Sequence, residues 1–91
     1  MRVSTKGRYA LRFMMEVARS DNGGPVSLRE VSRRQDISEK YLEQIVTHLS
    51  RAGLVRSVRG AGGGYLLTRP AAAYTVGDIL RPMEGNLIPV E

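Results

Sequence analysis

Residues 27–54 read SLREVSRRQDISEKYLEQIVTHLSRAGL, and their punctuation decides the fold. Ser27 and Glu30 have the spacing of a capping box, in which two free backbone donors are satisfied reciprocally, and Val26 and Val31 stand where a hydrophobic staple would put them. A helix therefore starts at Ser27, with Leu28 and Val31 facing inward and Arg29, Arg33 and Arg34 facing out. It fails near Asp36. Ser38 is the N-cap of a second helix, and Ile37 and Leu42 repeat the staple spacing. Gly53 suits the left-handed position just past that helix, where Leu54 can touch Leu49 as in a Schellman ending. Two helices joined by a short turn make a helix-turn-helix. The glycine often found in such a turn is absent. Asp36 must then take the left-handed region, which Asp tolerates better than most residues.

The second helix of the pair is two-faced. At about 100° per residue, Leu42, Ile45, Val46 and Leu49 fall on one side. Lys40, Glu43, Gln44, Thr47 and Arg51 fall on the other, with Tyr41 and His48 along one edge. Such side chains can read the donors and acceptors of base edges in a major groove. Any solvated helix face has a similar composition; the place of this one, second in a helix-turn-helix, favours recognition. His48 reads as a surface or edge histidine.

Beyond this pair comes a hairpin, with strands expected at Leu54 to Arg59 and Tyr65 to Thr68. Gly60, Ala61, Gly62, Gly63 and Gly64 join them. The loop is not a phosphate cradle, because its spacing is not G-x-G-x-x-G and it opens no helix. Arg56, Arg59 and Arg69 flank it. A glycine hairpin bordered by arginines after a helix-turn-helix reads as a wing, which can enter a narrow minor groove where Arg is electrostatically favoured.

On the other side of the pair, residues 4–20 read as a helix. Tyr9, Phe13 and Val17 recur at i+4, beside Ala10, Met14 and Ala18. The polar stripe of Arg8, Arg12, Glu16 and Arg19 is narrow. Leu11 and Met15 on its flanks leave two readings open, a wide core stripe or a second face for a partner subunit; core packing is the plain role for Met14 and Met15. After the wing, Thr75 and Asp78 resemble a capping box and Tyr74 and Ile79 a staple, and Pro82 keeps this last helix short or kinked. The tail from Gly85 to Glu91 is apolar and ends without a stop, which points to further chain.

Ninety-one residues make one small domain, and 42% hydrophobic with 25% charged residues is ordinary globular composition. No apolar run approaches a membrane span and no signal-peptide core follows Met1, so the expected location is the cytoplasm, with no membrane partner. There is no cysteine and His48 is the single histidine, so thiolate metal sites are excluded within these residues, no metal site is expected here, and enzyme readings are poor. The charge is uneven. Residues 1–69 hold thirteen Lys/Arg against six Asp/Glu, a net of +7, while residues 70–91 carry −2. The first three quarters of the chain suit a polyanion.

Several stretches now carry a resemblance. They are the opening Met1-Arg2-Val3-Ser4-Thr5-Lys6-Gly7-Arg8-Tyr9-Ala10, then Ile37-Ser38 with Tyr41-Leu42-Glu43-Gln44, and Gly53-Leu54-Val55 through Val58-Arg59-Gly60 to Gly62-Gly63-Gly64-Tyr65. Together they resemble the bacterial IscR/NsrR/CymR (Rrf-two) family of winged-helix transcription regulators, over essentially the whole chain. Gly77-Asp78-Ile79-Leu80, Glu84-Gly85 and Pro89-Val90-Glu91 look most like the CymR branch, which controls cysteine metabolism. The resemblance implies a dimer on an imperfect inverted repeat, with the recognition helix in the major groove and the wing in the adjacent minor groove. Ser38, Glu43 and Gln44 match family positions at bases or the neighbouring backbone, and Arg59 matches the minor-groove arginine. Lys40 stands where some relatives carry a smaller polar residue, so the preferred base sequence can differ. Many relatives hold an iron–sulfur cluster through cysteines placed after the region where this chain stops, and carry a long dimerisation helix there. Neither is present here. CymR-like relatives lack the cluster and are regulated through a partner protein; for the intact protein both modes stay open.

The expectation is thus a mainly α fold with a small β-hairpin wing, a winged helix-turn-helix DNA-binding domain over residues 1–84. Residues 85–91 would begin a truncated linker or dimerisation region. The expected function is a sequence-specific regulator, a repressor and not an enzyme, that is a homodimer when intact and binds double-stranded DNA. Ser38, Lys40, Glu43, Gln44, Thr47 and Arg59 would read bases. Arg2, Ser4, Lys6, Arg8, Tyr41, Arg51, Arg56, Gly60 and Arg69 would contact the DNA backbone. Glu43 would act partly by rejecting wrong bases, since a carboxylate in a groove is repelled by phosphates unless it accepts from a cytosine amino group. The competing expectation is a winged-helix module that binds another protein through the wide face of its first helix.

Overall fold

The computed structural model describes residues 3–20 and 23–84; Arg2 and the tail from Gly85 to Glu91 lie outside them. The elements run α1 Thr5–Ala18, α2 Leu28–Gln35, α3 Glu39–Arg51, β1 Val55–Val58, β2 Gly64–Leu67, a 3₁₀ turn Ala71–Ala73 and α4 Val76–Glu84. The fold is the expected winged helix-turn-helix.

The local signals act as read. Ser27 Oγ accepts from the Glu30 N–H at 3.1 Å and Ser38 Oγ from the Tyr41 N–H at 3.1 Å. Asp36 ends α2 in the left-handed region, at φ 57° and ψ 48°. At the end of α3 both Schellman bonds form. The Leu54 N–H donates to the Leu49 carbonyl and the Gly53 N–H to that of Ser50, each at 3.0 Å, with Gly53 at φ 77°. Thr75 and Asp78 complete a reciprocal box, with N···O distances of 3.0 and 3.1 Å. The Thr75 backbone N–H, donating to the carboxylate, is the main cause that holds the Asp78 carboxyl below the usual aspartate range. Pro82 lies near the end of α4, which runs on to Glu84; it removes only one late helical bond.

The box at Ser27 differs from its expectation. The Glu30 carboxylate turns to α2's own guanidiniums, accepting from Arg33 Nη2 at 2.9 and 2.8 Å and from Arg34 Nε at 2.6 Å. Charged donors make stronger hydrogen bonds than a neutral backbone N–H. They also hold the Glu30 carboxyl below its ordinary range, Arg33 first and Arg34 second.

Phe13, Val31, Leu42, Ile45 and Leu49 are the largest fully buried side chains. They join α1, α2 and α3 into one core, which Ile79 and Met83 of α4 close. Two expectations for α1 need correction. Glu16, read as part of a polar stripe, is 7% exposed. It accepts a hydrogen bond from Gln35 Nε2 and lies 3.8 Å from Arg34 Nη1, so α2 supplies the partners that a buried carboxylate requires. Met14 packs in the core, but Met15 is 59% exposed.

The hairpin is shorter than expected at its first strand, and its second strand begins one residue earlier. Its register pairs Val55 with Leu67 and Val58 with Gly64. Gly64 therefore belongs to β2 rather than to the loop. There Tyr65 forms a single antiparallel bridge with Val26, through N···O contacts of 2.8 and 3.0 Å. A Cβ on Gly64 would lie 2.4 Å from the Val26 carbonyl, so only glycine permits this approach. The bridge sets the wing against the start of α2.

Candidate nucleic-acid interface

The outer face of α3 is laid out as its periodicity dictates. Lys40, Glu43, Gln44, Thr47 and Arg51 are exposed, and Tyr41 and His48 are half-buried at the edge. Local hydrogen bonds then settle what some of these groups offer. Ser38 Oγ accepts as the N-cap of α3, so its hydroxyl proton is what it can give to a ligand. Thr47 Oγ1 donates to the Glu43 carbonyl at 2.8 Å, which leaves its lone pairs and methyl group facing outward. The face thus presents donors at Ser38 and Lys40, acceptors at Glu43 and Thr47, and both at Gln44.

The start of α1 lies beside the start of α3. Tyr9 meets Tyr41 edge-on, with ring centroids 5.5 Å apart. The Arg12 guanidinium stands 5.4 Å over the Tyr9 ring. Arg8 is exposed and Lys6 half-buried in the same two turns. Ser4 caps α1, its Oγ accepting from the Gly7 N–H at 3.0 Å. Arg12 is absent from the expected site residues. Its spacing of four from Arg8 on an exposed stripe was the available signal, but the ring contact that aims it depends on tertiary packing.

In the wing, Arg56, Arg59 and Gly60 are exposed. The loop closes by a Gly63 N–H bond of 3.0 Å to the Gly60 carbonyl. Gly60 sits at φ 104°, and a Cβ on Gly63 would fall 2.1 Å from the Val58 carbonyl oxygen. This tight turn leaves Arg59 at its rim. Arg69 is placed differently from the other expected backbone contacts. It stacks on Tyr74, 4.8 Å from the ring centroid, and approaches Asp78 at 3.7 Å.

The ion pairs divide the cations. Arg33 and Arg34 are paired within α2, and Arg69 and Arg81 meet Asp78. Among the described residues, Lys6, Arg8, Arg12, Arg19, Arg29, Lys40, Arg51, Arg56 and Arg59 have no carboxylate within ion-pair distance. Six of these, Lys6, Arg8, Lys40, Arg51, Arg56 and Arg59, come from the start of α1, the outer face and end of α3, and the wing; Arg12 lies over Tyr9, and Arg19 and Arg29 stand at the end of α1 and on α2.

A family model described as "Rrf2: Iron-dependent Transcriptional regulator" matches residues 3–91. The chain belongs to the Rrf2 family. Among curated Rrf2-like proteins, it is 50% identical over 91 residues to the HTH-type transcriptional regulator CymR of Bacillus subtilis, covering 100% of this chain and 66% of that protein. It is 48% identical over 87 residues to the regulator IscR of Escherichia coli, covering 96% of this chain and 54% of IscR. The solved structure of B. subtilis CymR, the global cysteine regulator, superposes with a TM-score of 0.88 at 49% identity, over 100% of this chain and 70% of that one. For T. potens IscR the TM-score is 0.85 at 48% identity, over 100% and 66%. The chain therefore spans about two thirds of the length of CymR and about half that of IscR.

The iron in the Rrf2 description finds no matching donor set here. The chain has no cysteine, and among the described residues no three His, Asp or Glu side chains converge on a metal-sized site. No helix among them is long and apolar enough to cross a membrane.

Proposed function

We propose that this Rrf2 chain is the DNA-binding part of a cytoplasmic transcription repressor. It inserts α3 into a major groove and Arg59 into the adjacent minor groove of an inverted repeat. The observation that carries the reading is the division of the cations. Arg33 and Arg34 of α2 are paired, while six of the nine unpaired cations among the described residues flank the polar face of α3 and the wing. Unpaired cations are the ones able to exchange counterions with phosphates. Lys6, Arg8, Arg51 and Arg56 set the register, and Ser38, Lys40, Glu43, Gln44 and Thr47 meet base edges. For pairing into a homodimer, support comes from an apolar groove between α1 and α4, where Met15 is 59% and Val76 57% exposed beside Leu11 and Leu67.

The test is selection from a random duplex pool. An enriched inverted repeat supports the regulator and its pairing on DNA; an enriched single half-site supports DNA reading without pairing by these residues. No enrichment overturns the reading and favours a protein-binding module. Two substitutions refine it. Arg59→Ala is expected to weaken binding to the selected duplex by about 1–3 kcal/mol; an unchanged affinity removes Arg59 from the interface. Glu43→Ala is expected to relax base preference more than it weakens binding. A uniform loss over all duplex sequences contradicts that role.

A further inference from the structure

The root of the wing is held by a side chain from outside it. Continuing the register outward from Val55 and Leu67 sets Leu54 opposite Thr68. In place of a direct rung, the Tyr74 phenol stands between them. It accepts from the Thr68 N–H at 2.9 Å and donates to the Leu54 carbonyl at 2.7 Å. A rung relayed through an oxygen is wider than a direct N–H···O bond of about 2.9 Å, so the phenol fixes how far the two strands splay where they leave the core. The Thr68 hydroxyl adds a bond of 2.7 Å to the Gly53 carbonyl at the end of α3. Arg69 covers the Tyr74 ring and reaches Asp78, whose carboxylate caps α4. One cluster thus joins the end of the recognition helix, both strands of the wing and the start of α4.

We propose that Tyr74 is a positioning residue that sets the angle of the wing and so aims Arg59. The bridge of Val26 to Tyr65 holds the opposite end of β2, which leaves the root as the point where the angle is adjustable. The role rests on the proposed DNA reading, in which Arg59 enters a groove.

The experiment is a double-substitution cycle on the duplex enriched by the parent chain, with Tyr74→Phe, Arg59→Ala and the pair. Tyr74→Phe keeps the ring and removes the relay. It is expected to weaken binding about 3- to 10-fold when Arg59 is present, and less than about twofold in the Arg59→Ala background. Thr68→Val, which removes the bond to Gly53, is expected to show the same coupling at smaller size. Thermal melting of each variant establishes that it is folded at the binding temperature. Equal losses with and without Arg59 describe a merely structural tyrosine and overturn the proposal while leaving the DNA reading intact. If Arg59→Ala alone changes nothing, the minor-groove role fails and the proposal fails with it.

Discussion

Binding to the selected duplex is expected to weaken about 10²- to 10³-fold per subunit between about 50 and 200 mM salt. Lys6, Arg8, Arg51 and Arg56, with Lys40 and Arg59 adding to them, can neutralise about 4–6 phosphates. Each releases counterions with a logarithmic slope near −0.9. The proposed interface also predicts which cations matter. Arg56→Ala should reduce the slope by about 1. Arg33→Ala should leave it nearly unchanged, because Arg33 is already committed to Glu30 at 2.8 Å. Titrations at four or five salt concentrations give these slopes. A slope near zero, or equal losses from Arg33 and Arg56, would contradict the division of cations on which the function rests.

Phe13→Ala is expected to destabilise the domain by about 3–5 kcal/mol. Phe13 is fully buried and meets Tyr65 of β2 at 6.0 Å between centroids, so the cavity would open between α1 and the wing. Domains of this size have only about 5–15 kcal/mol in total. With about 4–8 °C lost per kcal/mol, the melting temperature should fall by more than about 12 °C. Met15→Ala, two residues along on the opposite side of α1 and 59% exposed, should change it little. A Phe13→Ala chain that melts within a few degrees of the parent would refute the packing described.

Features of this chain that depend on neighbours a few residues away were legible in its sequence. The caps at Ser27 and Ser38, the left-handed Asp36 and the Schellman ending at Gly53 are of this kind, and they fixed the helix-turn-helix. The outward face of α3 followed from periodicity alone. Apart from the turn of the Glu30 carboxylate to nearby Arg33 and Arg34, what was not legible depends on distant partners. Glu16 looks like a surface residue until Gln35, nineteen positions later, is found bonded to it. Arg69 looks like an unengaged cation until Tyr74 and Asp78 are found beside it. Gly64 reads as loop, because nothing near it in sequence announces that Val26 passes against its backbone. The phenol of Tyr74 reaches Leu54 across twenty residues, with no local pattern to betray it.

The glycines of the wing look alike in sequence yet differ as sites for chemical labelling. Gly60 has a backbone that L side chains rarely adopt, and Gly63 and Gly64 have backbone atoms where a Cβ would go. Gly62 faces open space at an ordinary φ. In a chain with no cysteine, a thiol installed there would be unique, and a fluorophore on it would ride the tip of the hairpin. Of the four glycines, this is the one from which the approach of the wing to DNA can be watched without rebuilding the turn.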